Sequence, residues 1–306
     1  MSLSYTTVDV FTTSKFAGNP LAIVHVPSSV ILTQEKKQDI ANEFNLSETV
    51  FVHEPRPGDE PNSWTIDIFT IGSELPLAGH PVIGTACHLL GSLAGDASGI
   101  VKGSFTTKGG HVGLEYDART QRAFASLPHN VRVHAAPYGA DALAKHQPQL
   151  PAPLPPAPVV SIVKGMTFVL VELPSLAALA AVAKLSEQTV ARRDDGWDVG
   201  LVGAFFYTFT DAGDVASGSV KLRTRMVQVD VGEDPATGSA SCALASYLAL
   251  EHGRAGQRVD FELTQGVEMG RKSDILVQVQ LGPDKELKEV RLGGGAVTVM
   301  EGKLFI

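Results

Sequence analysis

Residues 232–242, GEDPATGSASC, place an acid and a proline directly before a run of glycine, serine and alanine. Half a chain length earlier, residues 78–87 read AGHPVIGTAC and have the same form. Both stretches fit the pattern His or Asp, Pro, two residues, Gly, Thr or Ser, Ala, which begins at His80 and at Asp234. Because proline is favoured at the first position of a helix, where its missing N–H leaves nothing unsatisfied, each stretch predicts a helix start. The pattern therefore predicts an internal duplication, with one such helix in each half.

A weaker repeat pairs GNPLAIV (18–24) with GMTFVLV (165–171), again about half a chain length apart. Each half also contains several short runs rich in β-branched residues and one helix that is apolar on all sides. A helix of that kind is a buried one, and the order of elements is not the strand–helix alternation of a doubly wound parallel sheet. We therefore predict an α+β fold of two pseudo-symmetric domains, each with a curved, mostly antiparallel sheet around a central helix.

The domain boundaries follow from composition and from the repeat. We expect a first domain of residues 1–131, joined by the C-terminal strands at about 291–306, and a second domain of residues 132–290. The proline-rich segment 148–158 predicts a stiff, extended connection, either close to the boundary or as a large loop inside the second domain. Two further helices are predicted: one over residues 34–44, capped by Thr33 and stopped by Asn45, and an Ala/Leu-rich one near 174–186.

The bulk composition limits the function. The 306 residues are 44% hydrophobic and 19% charged, enough for a real core, and the formal net charge is -8. No basic stripe is present to neutralise phosphates, so we expect no nucleic-acid partner. No secretory signal and no apolar stretch long enough to span a bilayer are recognised, and two distant cysteines fit a reducing compartment. We therefore expect a cytoplasmic protein that binds no membrane.

Five motifs carry a resemblance to a known family: GNPLAIV (18–24), NLSETVFV (45–52), LPLAGHPVIGTA (75–86), GEDPATGSA (232–240) and QGVEMGRKS (265–273). In this order and spacing they resemble the PhzF-like family of phenazine-biosynthesis isomerases, which belongs to the diaminopimelate-epimerase fold superfamily. The resemblance covers nearly the whole chain. It implies a diaminopimelate-epimerase-like fold with the active site in the cleft between the two domains. It also implies isomerisation by a proton shift, with a glutamate as the principal acid/base.

The resemblance assigns residues to roles. It implies that the catalytic residues are Glu48, His80 and Asp234. The residues expected to contact substrate are Asn19, Gly79, Gly84, Thr85, Gly238 and Ser239. A helix start binds anions through its free N–H groups and the positive end of its dipole, so a small carboxylate-bearing substrate is expected. No cofactor and no metal are expected, and the family suggests a homodimer.

Related racemases use two opposed cysteines, one at the start of each helix. In this sequence the corresponding positions are Ala78 and Ala236, while Cys87 and Cys242 lie about two turns into the helices. We therefore expect these cysteines to be small buried hydrophobic residues and exclude two-cysteine racemisation. His88 suggests a metal ligand, but no other ligands have suitable spacing.

Other interpretations stay open at this stage. Glu48 alone is compatible with a surface carboxylate, Asp234 with a helix N-cap, and His80 with a structural histidine. The residues ahead of the second motif, KLRTRMVQVDV (221–231), lack the aromatic and proline-rich run expected there, which leaves the substrate open. The alternatives to an isomerase are a lyase- or cyclase-type proton transfer on the same scaffold and a binding protein that has lost turnover.

Overall fold

The computed structural model describes residues 1–56, 58–95, 98–151, 153–211, 214–229 and 232–306. Ala152 of the proline-rich segment, and Asp230 and Val231 ahead of the second motif, lie outside the described residues. The chain divides into two compact units, one formed by Met1–Leu127 with Leu292–Ile306 and the other by Pro128–Arg291. These limits fall close to the expected boundaries at 131 and 291.

The secondary structure consists mainly of short strands, with few helices. The first half contains β1 (Ser2–Val10), β2 (Asn19–Val26), α1 (Gln34–Phe44), β3 (Thr49–His53), β4 (Ser63–Phe69), β5 (Glu74–Leu75), α2 (Gly79–Ala94), β6 (Ile100–Thr107), β7 (Gly110–Asp117) and β8 (Arg122–Ser126). The second half contains β9 (Arg132–Val133), α3 (Ala140–His146), β10 (Val159–Val163), β11 (Met166–Glu172), α4 (Leu176–Ala180), β12 (Leu201–Phe209), β13 (Ser219–Gln228), β14 (Gly232–Asp234), α5 (Gly238–His252), β15 (Arg258–Gln265), β16 (Ser273–Leu281), β17 (Leu287–Gly294) and β18 (Ala296–Phe305).

The same order of strand pairings occurs twice along the chain. In the first copy β2 pairs in parallel with β3, β3 antiparallel with β4, β4 with β5, and β4 in parallel with β6 across α2. In the second copy the corresponding pairs are β11 with β12, β12 with β13, β13 with β14, and β13 with β15 across α5. The weaker repeat falls on β2 and β11, which follow Gly18 and Gly165, both with positive φ. This repeated connectivity is the one that a duplicated sequence predicts.

One apolar helix packs against the strands of each unit. α2 contacts β1, β2, β3, β6, β7, β8 and β18, whereas α5 contacts β10, β11, β15 and β16. Because most side chains of both helices are buried, neither helix has the polar stripe of a surface helix. Each unit is therefore an α+β arrangement of mostly antiparallel strands around a central helix. Neither these two nor any other helix in the described ranges has the length and hydropathy needed to cross a membrane.

Helix α1 has the limits expected from its sequence. The Thr33 side chain accepts a hydrogen bond from the Lys36 N–H at 3.2 Å, and Asn45 adopts φ 51° and donates its N–H to Ala41. The helix is attached to β4 by the buried Lys37, whose ammonium donates to the Asp67 carboxylate. α1 therefore holds the start of the loop that leads to Glu48.

The two ends of the chain meet in the first unit. β18 pairs antiparallel with β1 from Ser2 opposite Phe305 to Val10 opposite Ala296. The terminal amino group also lies 3.2 Å from the Ile306 carbonyl oxygen. The last strand thus completes the sheet that the first strand begins.

Helix α4 is much shorter than the predicted helix over 174–186, because its C-terminal carbonyls have a tertiary partner. The buried guanidinium of Arg225 donates through Nη1 to the carbonyl oxygens of Leu179, Ala180 and Val182 at 2.8–3.1 Å. Its other nitrogens donate to both carboxylate oxygens of Glu233, each at 2.8 Å. Carbonyl oxygens that accept hydrogen bonds from Arg225 do not require N–H donors from a further helical turn.

Candidate active site

Glu48 lies in the loop between α1 and β3, directly before the first residue of the strand. Because β3 runs parallel to β2, this loop lies at the same edge of the sheet as Asn19, where β2 begins. The Ser47 hydroxyl is 3.5 Å from Asn19 Oδ1, and Asn19 is itself buried. The parallel pairing therefore brings two motifs, GNP and NLSET, to one place.

His80 is the second residue of α2, and its side chain is only 7% exposed. Its Nε2 is 3.5 Å from Oε2 of Glu48, whose side chain is 17% exposed. Neither atom has a hydrogen-bond partner in the described part of the chain. The imidazole also hydrogen-bonds to the backbone of Pro20; since proline has no N–H, the Nδ1–H donates to its carbonyl oxygen.

This geometry defines the protonation state of His80. Burial lowers the pKa of His80, and the Glu48 charge and the Pro20 carbonyl oppose that shift without cancelling it. The neutral ring with its proton on Nδ1 points the Nε2 lone pair at Glu48. A carboxylate oxygen and a ring nitrogen that both accept cannot satisfy each other in a buried place, whereas one proton between them satisfies both.

The start of α2 has the electrostatic features that favour an anion. The helix begins after Ala78, which offers no capping side chain, and the first turn contains no acidic residue. The first N–H groups of a helix have no intrahelical partner and carry the positive end of the dipole. Gly79 opens this turn beside His80, so a carboxylate is favoured here.

Packing explains the glycine at position 84, and Thr85 is buried next to it. A Cβ on Gly84 would lie 2.6 Å from Cγ2 of Val10 and 2.8 Å from Cδ2 of Leu21, so α2 crosses β1 and β2 closely at this point. Thr85 is fully buried, and its hydroxyl has no partner among the described residues. Contact of these two residues with a substrate stays a prediction.

Asp234 ends β14 and organises the approach to α5. Its Oδ1 accepts from the Ala236 N–H at 3.3 Å and its Oδ2 from the Thr237 hydroxyl at 2.7 Å. The Gln265 amide donates to the Asp234 carbonyl oxygen at 2.8 Å and to the Thr237 hydroxyl at 3.0 Å, and accepts from the Thr237 N–H at 3.2 Å. The neighbouring Glu233 is held by Arg225. Gln265 and Arg225 were not predicted as functional residues, although Gln265 opens the QGVEMGRKS motif.

The two helix starts differ, which corrects the sequence prediction. α2 begins at Gly79, so Pro81 is its third residue, whereas α5 begins at Gly238, three residues after Pro235. The N-cap of α5 is therefore Thr237 and not Asp234. The reason is that Asp234 and Gln265 already bind the polar groups of the intervening turn. Gly238 and Ser239 are therefore the first two residues of α5, whereas their counterparts in the repeat, Gly84 and Thr85, are the sixth and seventh residues of α2.

Both cysteines are buried; Cys87 is the ninth residue of α2, but Cys242 is only the fifth of α5, not two turns into it, because that helix begins at Gly238. Burial raises the pKa of Cys87 and of Cys242 to about 12 each, which keeps both thiols protonated. Ala78 and Ala236, which the resemblance places at the racemase cysteine positions, have no side chain that can act as an acid or base. His88 lies 3.3 Å from His25, and no cluster of three or more metal-ligating side chains was found in the described ranges.

Comparison with known proteins decides the family. The model of the PhzC-PhzF family, described as phenazine biosynthesis-like protein, matches residues 8–302. The chain belongs to this family. It is 32% identical to an uncharacterized isomerase of Mesorhizobium japonicum and 31% identical to a trans-2,3-dihydro-3-hydroxyanthranilate isomerase of Pseudomonas chlororaphis, over 99% of each chain in both cases.

Solved structures show the same fold for this phenazine biosynthesis-like chain. A PhzF family protein of Bacillus anthracis matches with a TM-score of 0.77 and 21% identity, over all of both chains. A probable proline racemase of Agrobacterium radiobacter matches with a TM-score of 0.61 and 13% identity, over 99% of this chain and 93% of that one. The fold is thus shared by PhzF proteins and proline racemases. The family membership, and not the fold, places the chain among the isomerases.

Proposed function

We propose that this member of the phenazine biosynthesis-like family is an isomerase that moves a proton on a small carboxylate-bearing molecule, with Glu48 as the acid/base. The observation that carries the proposal is the pair of buried, unpartnered atoms 3.5 Å apart, Oε2 of Glu48 and Nε2 of His80. Surface carboxylates do not need such a partner, and buried polar atoms without hydrogen bonds are rare in folded proteins. The arrangement is suited to holding a proton that is given up during a reaction.

The positions at which Glu48 and His80 can hold a proton support general acid/base chemistry. His80 is fixed by the Pro20 carbonyl, so its Nε2 can take or return a proton without moving the ring. Glu48, on the loop before β3, is the partly exposed member and therefore the one that reaches a substrate. We propose that Glu48 transfers the proton to and from a substrate carbon and that His80 positions its carboxyl group.

The substrate carboxylate is proposed to bind at the start of α2. The open N–H groups beside Gly79 supply the positive end of the helix, and the Asn19 amide lies at the same sheet edge. Roles for Asp234, Gly238 and Ser239 toward the substrate stay predictions. The homodimer and the cytoplasmic location also stay predictions.

We further propose that the reaction needs no cofactor. A proton shift moves no electrons between molecules, and a carboxylic acid both supplies and takes back the proton. Cysteine-based proton transfer is disfavoured because both thiols are buried and protonated.

The first candidate substrate is trans-2,3-dihydro-3-hydroxyanthranilate, because relatives at 31% identity are named as isomerases of that compound. The test is to incubate it with the EDTA-dialysed protein in deuterated water and to follow the reaction by proton NMR and mass spectrometry. We expect a product of unchanged atomic composition that carries solvent deuterium at the carbon that gains the proton. A product of lower mass would indicate a lyase. Binding without exchange would indicate a protein without turnover, and activity restored only by added metal would overturn cofactor independence.

A further inference from the structure

A second cavity lies within residues 155–252, away from Glu48 in the chain and inside the second unit. It has a volume of about 350 Å³ and is bordered by β11, β12, the last turns of α5 and the end of the proline-rich segment. The side chains that matter chemically are Glu172, Tyr207, Phe209, Tyr247 and His252. The rest of its wall is proline and aliphatic, so four aromatic rings and one carboxylate are set in an apolar lining.

The charge around this cavity favours a cation. The buried Tyr207 hydroxyl donates to Oε2 of Glu172 at 3.2 Å, and within the described ranges no lysine or arginine pairs with Glu172. Burial, followed by the charge of Glu172 and its hydrogen bond, raises the pKa of Tyr207, which therefore remains a neutral donor.

The aromatic rings have the geometry that suits an ammonium group. Tyr207 and Phe209 are two residues apart on β12, with ring centroids 6.0 Å apart and planes at 72°. Tyr247 lines the cavity from α5. Rings that meet at a steep angle offer several negative π-faces to one charge, the arrangement that binds quaternary ammonium ligands elsewhere.

The neighbouring surface adds an apolar extension. An adjacent cavity of about 410 Å³ shares Glu172 and Pro155 with the 350 Å³ cavity. Its other lining residues are Pro151, Pro153, Leu154, Leu173 and Pro174. Pro151, Pro153, Leu154 and Pro155 thus form an apolar wall that continues from the carboxylate.

We propose that this region is a binding site for a small organic ammonium compound. The ammonium group lies against Glu172 and the rings of Tyr207, Phe209 and Tyr247, and an apolar substituent lies along the proline-rich wall. The site does not depend on the proposed isomerase activity, since it shares no residue with the Glu48 site.

The test is calorimetric titration of the whole protein with hexyltrimethylammonium and with choline. The matched ligand control is the tert-butyl analogue of choline, in which carbon replaces the charged nitrogen. We expect both cations to bind and the uncharged analogue to bind at least about fivefold more weakly. Equal binding of choline and its uncharged analogue, or no binding of either cation, would overturn the proposal.

Two variants locate the site. Glu172→Gln keeps the shape and removes the charge, and Tyr247→Ala removes one aromatic wall; each is expected to weaken hexyltrimethylammonium binding at least about fivefold. The matched control is Glu262→Gln, which removes the same charge from an exposed carboxylate on β15 that faces Lys221. If Glu172→Gln and Tyr247→Ala, with unfolding midpoints like the wild type, bind as tightly as Glu262→Gln, the proposal is wrong.

Discussion

Replacing Glu48 by glutamine is the sharpest test of the proposed chemistry. The amide has the shape of the carboxyl group but cannot exchange a proton with a substrate. We expect the rate of isomerisation to fall at least about a hundredfold, the lower range for loss of a general acid/base. That factor corresponds to about 2.7 kcal/mol of activation free energy.

The structure predicts that this loss comes without a loss of stability. In wild type, Oε2 of Glu48 faces Nε2 of His80 at 3.5 Å, and the ring cannot donate from that nitrogen while its proton is on Nδ1. An amide N–H in place of the oxygen donates to Nε2 and satisfies it. The free energy of unfolding is therefore expected to change by no more than about 1 kcal/mol, the value of one hydrogen bond.

The assay compares three proteins: wild type, Glu48→Gln, and Glu43→Gln as a matched change at an exposed position of α1. Deuterium incorporation gives the rate, calorimetry gives substrate affinity, and urea unfolding gives stability. Substrate affinity is expected to be similar in all three. If Glu48→Gln turns over like Glu43→Gln, Glu48 is not the acid/base; if it loses activity and stability together, its role is structural.

Three further predictions follow from other contacts. Cys87→Ala and Cys242→Ala are expected to keep wild-type turnover and to lose about 1 kcal/mol of stability, because each removes one buried sulfur atom. Asp234→Ala is expected to lower stability by about 1–3 kcal/mol, because the Ala236 N–H and the Thr237 hydroxyl lose their acceptor, and to reduce turnover as well. Asp67→Asn is expected to lower stability by about 3 kcal/mol, because it leaves the buried Lys37 ammonium without a counter-charge; the value is at the low end because Asp67 is partly exposed.

The Asp67 pair also sets a pH dependence. Burial tends to raise the pKa of Asp67, but hydrogen bonds from His53 and Lys37 and their charges outweigh it, and the pKa is lowered. When the pKa of a carboxyl group is lower in the folded state, its charge stabilises the folded protein at pH values above the unfolded-state pKa, which is about 4 for aspartate. This stabilisation disappears as the pH falls through the folded-state pKa. Acid unfolding of wild type is therefore expected to show a step below about pH 4 that Asp67→Asn lacks.

Controls separate these effects from general damage. Asp39→Asn removes an exposed charge that faces Lys36 at 3.6 Å, so it is expected to change stability by less than about 0.5 kcal/mol. Loss of turnover in either cysteine variant would contradict Glu48 as the acid/base and favour a two-thiol mechanism. Unchanged stability in Asp234→Ala would show that its hydrogen bonds to the turn before α5 are replaced by water.

Local signals predicted the elements that depend on neighbours in sequence. The limits of α1 follow from Thr33 and Asn45, because a capping hydroxyl and a left-handed residue act on the adjacent turn. The α4 prediction failed because Arg225, distant in sequence, binds the carbonyls that a longer helix would have used. Tertiary partners override helix propensity in such places.

The same distinction applies to the site. Glu48, His80 and Asp234 were found through motifs, because their residue types and spacing are local properties. The Pro20 carbonyl that orients His80, and the Gln265 amide that shifts the start of α5, depend on which strands lie side by side. Because the sequence alone does not show which strands are neighbours in the sheet, it predicts neither contact.

The pairing of β18 with β1 has a consequence for protein synthesis. The ribosome makes β1 long before its partner β18, because Val10 pairs with Ala296. At about 5–20 residues per second, the segment from Pro128 to the C-terminus takes roughly 10–35 s to make. During that time one edge of β1 stays unpaired, and a free edge pairs readily with other chains. β1 is therefore made long before the strand that completes its sheet, and chaperone binding during translation is expected to concentrate on the nascent β1 edge.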